Sequence, residues 1–376
     1  MTTSAGTAGS EPLEIQRSIP GSNHARLLKL LYRRGNRSRA DLARAAGFTK
    51  ATVSSLIAEM LEAGLVVETR QRPVDGPGRP SVDLDLARTS WVVLAVDLSP
   101  DDEFAAALID LGGAIRDRAS VTLGGARGED AFVMARELID TLLARAEVPV
   151  LGIGVCVPGI VDLEGVVLAS LNRGWVGLTL GARLSEHTGL PVCVANDANA
   201  AALAEREVTQ GREDLMLVKV GSGVGAAIIA NGQLLHGHRF SAGEIAHITT
   251  APGGPRCVCG RFGCLEATLS APRLAALLRA SDGSPDRRAE VLENAGHQLG
   301  GVLAPLVGAL ALTTVVVSGL PPSYADDLLA ATRASLSGRI PPDLSAPLTL
   351  RGSDLGEDVM IRGAVILVLS GVLGII

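Results

Sequence analysis

Two adjoining runs, Ala242-Gly-Glu-Ile-Ala-His247 and Cys257-Val-Cys259-Gly-Arg-Phe-Gly-Cys264-Leu-Glu266, decide how the rest of the chain is read. They gather one imidazole, three thiols and two carboxylates in a short stretch. Three thiolates and one imidazole form the closed tetrahedral donor set of a structural Zn²⁺ site, so His247, Cys257, Cys259 and Cys264 are the candidate metal ligands. The intervening glycines allow tight turns around the sulfurs. On spacing alone, reduced surface thiols remain the alternative. The other two of the five cysteines, Cys156 and Cys193, lie in apolar strand-like runs and read as inert core thiols. An odd cysteine count argues against a disulfide framework.

Upstream of these runs, strand-like and helix-like segments alternate. Apolar strands are expected at 91–97, 104–110, 151–157, 192–195, 215–220 and 226–229, with helices at 130–145 and 178–188. This rhythm predicts an α/β body. Three polar clusters punctuate it. Asn196-Asp197-Ala-Asn199 stands at the carboxyl end of a strand, where open α/β sheets bind ligands. Such an aspartate can accept a hydroxyl proton, while a plain helix cap is the competing reading. Gly221-Ser-Gly-Val-Gly225 permits close backbone approach to a ligand or serves as a hairpin turn. Asn172-Arg-Gly-Trp175 pairs an amide with an aromatic face, a combination suited to sugars and equally to a surface turn.

The N-terminal part differs in charge and period. Residues 1–80 hold 12 Lys and Arg against 7 Asp and Glu, whereas the remainder holds 22 against 33. A basic head on an acidic body suits a nucleic-acid module joined to something else. Residues 1–20 read as a disordered tail. A helix is expected at 23–34. A second begins after Ser38 with Leu42, Ala45 and Ala46 inward, and a third runs from Thr49 to about Ala63 with Val53, Leu56, Ile57, Met60 and Leu61 buried. Strands at 65–70 and 82–86 then flank a Pro/Gly loop, making a wing. This is a winged helix-turn-helix over 21–88. Its third helix, capped by Thr49, offers Ala51, Thr52 and Ser55, with Ser54 at the rim, to base edges in the major groove and Lys50 to a phosphate. The wing loop holds Arg72 and Arg79, with Arg79 placed to reach backbone or minor groove, and Arg39 completes the candidate DNA contacts. A three-helix protein-interaction module is the bland alternative.

Hydrophobic residues make up 47% of the 376 and charged residues 20%, which excludes wholesale disorder. Met1–Ser10 has no leader-like pattern. The longest apolar run, Ala364–Ile376, falls short of the roughly 18–20 residues of a membrane span, so a cytoplasmic protein without a membrane partner is expected.

Pro158-Gly-Ile-Val-Asp162, Asn172-Arg-Gly-Trp175, Asn196-Asp-Ala-Asn199 and the two opening runs, in this order and spacing, resemble the ROK family of repressors, open reading frames and kinases. The resemblance covers nearly all of 21–376 and places the chain with the family's sugar-responsive repressor branch. It implies a two-lobed actin-like/hexokinase-like ATPase fold over 89–376, with lobe one at about 89–198 plus 358–376 and lobe two at about 199–357. It implies Zn²⁺ on the Cys3His set. It also implies a sugar site made of Asn172, Asn196, Asp197, Glu244, His247 and Glu266, with Asp197 at the position of the kinase base. The departures from the family pattern matter as much. Kinase members carry a glycine-rich phosphate hairpin after the first strand, whereas here the strand ends Asp97-Leu-Ser-Pro-Asp-Asp102. Pro100 has no amide hydrogen to offer, and Asp101 and Asp102 repel phosphate, so no ATP site and no catalytic residue are expected. The adenosine-side glycines are replaced by Ser318-Gly-Leu-Pro-Pro322, and Ala246 stands where glycine is usual. The expectation is a regulator, most simply a repressor of carbohydrate-utilisation genes. It would bind a double-stranded operator as a homodimer or homotetramer and respond to a monosaccharide or small oligosaccharide. An active sugar kinase with a DNA-binding head is the alternative.

Overall fold

The structure, a computed structural model, describes residues 21–71, 82–209, 211, 214–341 and 348–376. The expected tail and the wing loop with Arg72 and Arg79 lie outside the described residues.

The head holds three helices, α1 (Asn23–Arg34), α2 (Arg39–Ala46) and α3 (Lys50–Glu62), and a small sheet of β1 (Arg37–Ser38), β2 (Val66–Gln71) and β3 (Val82–Leu86) in the order β1-β3-β2. Each helix starts where a hydroxyl can take an orphan amide. Ser22 accepts from Ala25, Ser38 forms a reciprocal capping box with Asp41, and Thr49 accepts from Thr52 at 3.1 Å. On α2 the buried face is Leu42, Ala43 and Ala46, with Ala45 exposed. This corrects the expected inward set: Leu42 and Ala43 lie four and three residues before Ala46, so the core-facing side is turned toward Ala43 and away from Ala45. In α3 only Val53, Ile57 and Met60 are fully covered; Leu56 and Leu61 are half-buried at the margins.

The body has two five-stranded sheets. The first contains β4 (Val92–Asp97), β5 (Glu103–Asp110), β6 (Ile115–Thr122), β7 (Val150–Val157) and β11 (Val192–Asn196) in the order β11-β7-β4-β5-β6. The second contains β12 (Leu215–Val220), β13 (Val224–Ala230), β14 (Gln233–Leu234), β15 (Thr314–Ser318) and β16 (Thr349–Gly352) in the order β14-β13-β12-β15-β16. Each begins with an antiparallel meander and adds two parallel strands beside its first strand. The two sheets therefore share one topology. A minor sheet of β8 (Ile160–Val161), β9 (Val167–Ser170) and β10 (Trp175–Leu178) hangs from the first.

Helices α4 (Gly128–Leu143) and α5 (Leu180–Thr188) cover the first sheet, and α6 (Asp197–Val208) lies between the two sheets, with Ala198, Ala201 and Ala202 against the second and Ala200 and Ala204 toward the first. The second carries α7 (Leu265–Leu269), α8 (Ala271–Ala280), α9 (Pro285–Leu310) and α10 (Ala325–Ser337). The chain returns through α11 (Val359–Leu373), apolar on nearly every side and buried against the first sheet and α6. Glycine makes this approach possible. A Cβ on Gly154 would sit 2.0 Å from the Ala364 carbonyl oxygen, and one on Gly363 would sit 2.5 Å from that of Ala200. The apolar C-terminal run is thus core, and among the described residues no helix is long and apolar enough to cross a membrane. The same hydrophobic cluster continues into the head, joining Leu27, Leu31 and Ile57 to Trp91, Leu369 and Ile375. The Trp91 indole donates to the Gly64 carbonyl at 3.0 Å, tying the head to the first strand of the body.

Candidate functional site

A cavity of about 250 Å³ opens between the two sheets. Its wall includes Asn172, Asn196, Asp197, Glu244, His247 and Glu266, so the six sequence-predicted ligand residues meet in one place. The end of β11 supplies two of them. Asn196 caps α6: its Oδ1 accepts the Asn199 amide at 3.1 Å and its Nδ2 donates to the Gly159 carbonyl at 2.8 Å. The cap reading and the cavity reading hold together, because the cap aims the Pro158–Gly159 turn at the cavity. Asp197 is 5% exposed and begins α6; its Oδ1 accepts the Ala198 amide at 2.8 Å. Its Oδ2 lies 2.5 Å from the Lys219 ammonium, a partner that the sequence reading missed. Lysine is scarce in the chain, with three among 34 basic residues, but scarcity alone assigns no role to Lys219.

Burial raises the pKa of Glu244 above the usual carboxylate range, with His247 acting the other way. Glu266 Oε2 accepts the Val224 amide at 3.3 Å, and a Cβ on Gly223 would lie 2.6 Å from that oxygen. The glycine turn is therefore the hairpin between β12 and β13 and also a wall of the cavity. Trp175 does not offer its face to this site. It is 3% exposed in the core beneath the first sheet, and its indole donates to the Gly128 carbonyl at 2.8 Å.

Beside the cavity, the donor atoms of His247, Cys257, Cys259 and Cys264 all lie within 4.8 Å of one another. His247 Nδ1 is 3.5 Å from Cys257 Sγ, and the Sγ atoms of Cys259 and Cys264 are 3.7 Å apart. Tight loop geometry brings them together. Gly263 has φ +71°, and a Cβ there would fall 1.7 Å from the Ala251 carbonyl oxygen. Burial pushes the Cys257 thiol up to about 12, while the Arg261 amide pulls Cys259 down to about 6. A converging set of one imidazole and three thiols fits a tetrahedral metal ion. His247 joins the metal cluster and the cavity, and Glu266 Oε1, 3.8 Å from Cys257 Sγ, does the same.

A second, larger cavity of about 870 Å³ adjoins the first, lined by Asp97, Ser99, Pro100, Asp101 and Asp102 on one side and by Gly221, Ser222, Gly319 and Pro321 on the other. The Asp97 carboxylate accepts the amide and hydroxyl of Ser99, at 2.9 and 2.6 Å. Burial raises its pKa. Arg173, 2% exposed, is spent on this turn. It donates to the carbonyls of Leu98 at 3.1 Å, of Ser99 at 3.2 Å and of Pro100, and lies 3.4 Å from Asp101. A guanidinium therefore fixes the backbone of the turn with its carbonyls engaged.

On the head, Thr49, Lys50, Ala51, Ser54 and Ser55 are exposed along one side of α3, and Thr52 is half-buried beside the Thr49 hydroxyl at 2.8 Å. Arg39 pairs with Glu68 at 3.0 Å.

Known proteins share both halves. The ROK family model matches residues 93–370, and a MarR family model matches residues 18–79. The xylose repressor of Bacillus spizizenii is 26% identical over 94% of this chain and 96% of its own length. The glucokinase of Halalkalibacterium halodurans is 32% identical, over 57% of this chain and 74% of its own. A solved ROK family transcriptional regulator, a homologue of the Escherichia coli Mlc protein, superposes with a TM-score of 0.81 at 26% identity, covering 94% of this chain and 96% of that one.

Proposed function

The chain belongs to the ROK family, and from that premise we propose that it is a sugar-responsive transcriptional repressor whose kinase-like body senses rather than phosphorylates. Residues 21–88 form the DNA-binding domain and 89–376 the sensing domain. The observation that carries this reading is a winged helix-turn-helix packed, through a hydrophobic cluster that includes Ala200 and Ala204 of α6, on a body whose polar interlobe cavity is lined by Asp197 at the start of that same helix. The likeness to regulators runs through head and body alike, whereas the likeness to the glucokinase covers little more than half of the chain.

Asn172, Asp197, Glu244 and Glu266 take up sugar hydroxyls, and Asn196 positions the cavity wall. A buried carboxylate left unpaired penalises a sugar with the wrong epimer. His247, Cys257, Cys259 and Cys264 would hold a structural Zn²⁺, and His247, with one ring nitrogen engaged there, would keep the other for the sugar. Pro100, Asp101, Asp102 and the bonded carbonyls of the first turn make a poor phosphate receptor, so the large cavity takes no ATP. The protein works in the cytoplasm as a homodimer, placing two third helices in successive major grooves of a palindromic operator. A sugar that binds one lobe arrangement better than the other shifts the spacing of the heads.

The test is to map bound DNA genome-wide, then titrate the full chain onto the recovered operator with and without glucose, xylose and N-acetylglucosamine. A sugar-dependent change in operator affinity without ATP turnover is expected. Sugar-dependent ATP turnover abolished by Asp197→Asn establishes the kinase instead.

A further inference from the structure

Lys219 is a largely covered cation that the proposed sensing role leaves without a task. It lies near the end of β12, in the second sheet, and its side chain is 15% exposed. Its ammonium reaches across the cleft to Asp197, at the end of the first sheet, at 2.5 Å. Burial alone lowers its pKa, but Asp197 and then Asp97 outweigh this and raise it, so it remains charged. Lys219 lines both the 250 Å³ cavity and the 870 Å³ cavity. Asp197 faces the first and Asp97 the second. The ammonium therefore stands at the opening through which the two cavities communicate, beside the carboxylate that would meet a sugar hydroxyl.

We propose that Lys219 sets the effector class of this site: it selects a free sugar and refuses the phosphate ester formed at the hydroxyl that meets Asp197. The inference rests on the sugar-sensing reading above and narrows it.

Three features argue for this. A group larger than a hydroxyl at Asp197 must push into the opening that the lysine fills. The charge there also opposes an anion. Asp197, Glu244 and Glu266 line the smaller cavity against Lys219, and in the larger one Asp97, Asp101, Asp102 and Glu357 outnumber Lys219, Arg279 and Arg288, so a phosphate dianion enters a field of excess negative charge that the single ammonium beside Asp197 does not offset. A neutral hydroxyl, in contrast, can donate to Asp197. Each of its oxygens has one partner in the structure, and a carboxylate oxygen accepts two. Held on one side by Lys219, the carboxylate is fixed for that hydroxyl, which makes Lys219 a positioning residue acting through Asp197.

The experiment is calorimetric titration of the full chain with glucose and N-acetylglucosamine, their 1- and 6-phosphates, and their monodeoxy analogues. The expected result is binding of a free sugar at least about 30-fold tighter than its phosphate, the ratio produced by about 2 kcal/mol of unmatched burial. The same preference should hold over the deoxy analogue that lacks the critical hydroxyl. Lys219→Met should weaken the free sugar about 10-fold and leave that analogue nearly unchanged, so discrimination between them collapses. Lys219→Arg should restore part of it. A loss of packing alone would weaken sugar and analogue equally and overturn the proposal. Tighter binding of a phosphate ester, abolished in Lys219→Met, also overturns it by making the lysine a phosphate receptor, while sugar sensing stands. If neither sugars nor esters bind, both readings fail. Should Lys219→Met not fold, as judged by its melting curve, the wild-type ranking of sugar against ester decides alone.

Discussion

In the first sheet β4 turns back into β5 through Leu98–Asp102, and in the second β12 turns back into β13 through Gly221–Gly223. The two turns occupy the same step of the same topology and face each other across the large cavity. Their chemistry differs. The first has a proline, two carboxylates and a set of carbonyls tied to Arg173. The second is almost bare backbone, and it lets the Glu266 carboxylate approach closely enough to take the Val224 amide. One scaffold thus carries a turn rich in carboxylates and engaged carbonyls and a turn shaped around the Glu266 carboxylate. Fold alone does not assign an activity here; the proposal of a sensing rather than a phosphorylating body rests on the composition of these two short turns.

The difference can be attacked first from the second turn, where the largest effect is expected. Glu266 is placed by the loop that ends at Cys264, so the Cys3His cluster is the outer support of that turn, and the proposed Zn²⁺ would brace it. Cys264→Ser, or stripping the metal with a strong chelator, should cost on the order of 4 kcal/mol or more and abolish sugar binding. Thermal unfolding of metal-loaded and stripped protein measures the loss. A stripped protein that melts unchanged and still binds sugar would detach the metal from the site.

The first turn should respond next. Arg173→Leu removes a buried guanidinium and strands the carbonyls of Leu98 and Ser99, for an expected loss of about 2–4 kcal/mol. Denaturant unfolding reads this directly. A loss below about 1 kcal/mol, the ordinary worth of an exposed ion pair, would mean that only the partly exposed Asp101 contact matters.

That contrast also shows what could be read in advance. Most strands and helices up to β13 follow from apolar period and caps, although β1, β8, β9, β10 and α6 do not, and the Cys3His cluster follows from residue type and spacing. The roles of Arg173 and Lys219 were not legible. Each makes its contact with residues 74 or 22 positions away, and neither the arginine in Asn172-Arg-Gly-Trp175 nor the lysine in β12 has a local partner to betray it. Trp175 misled for the reverse reason: aromatic residues suit sugars, but only burial in the tertiary fold shows that this ring has no free face. The α2 face slipped because eight residues give too few turns for period alone to separate Ala43 from Ala45.

A smaller effect is expected at Gly223, whose missing side chain sets the reach of Glu266. Gly223→Ala would bring a methyl group to 2.6 Å from the carboxylate oxygen, so one of the two must move. Sugar affinity should fall about 10–100-fold, equivalent to roughly 1.4–2.7 kcal/mol, while stability changes little because φ there is not in the left-handed region. Titration with the cognate sugar checks both arms, since a large fall in melting temperature would point to the hairpin rather than the acid.

The smallest effect tests whether the first turn can be made like the second. Replacing Pro100 and Asp101 with glycine and Asp102 with threonine restores an amide and removes two carboxylates. Nucleotide affinity should nevertheless rise by less than about 10-fold, under 1.4 kcal/mol. Three obstacles remain after the exchange. Arg173 still holds the Leu98 and Ser99 carbonyls, so the turn keeps its present backbone rather than presenting amides to a phosphate. Pro321, on the far wall, still lines the cavity where the family's adenosine-side glycines are missing. Lys219 still ties Asp197, leaving the would-be base engaged even if a nucleotide were seated. Competition against a fluorescent ATP analogue, with a coupled assay for ADP release, measures both steps. Micromolar nucleotide binding with sugar-dependent turnover in the triple variant would show that the first turn alone separates this protein from a kinase, and that Arg173, Pro321 and Lys219 are bystanders to the loss.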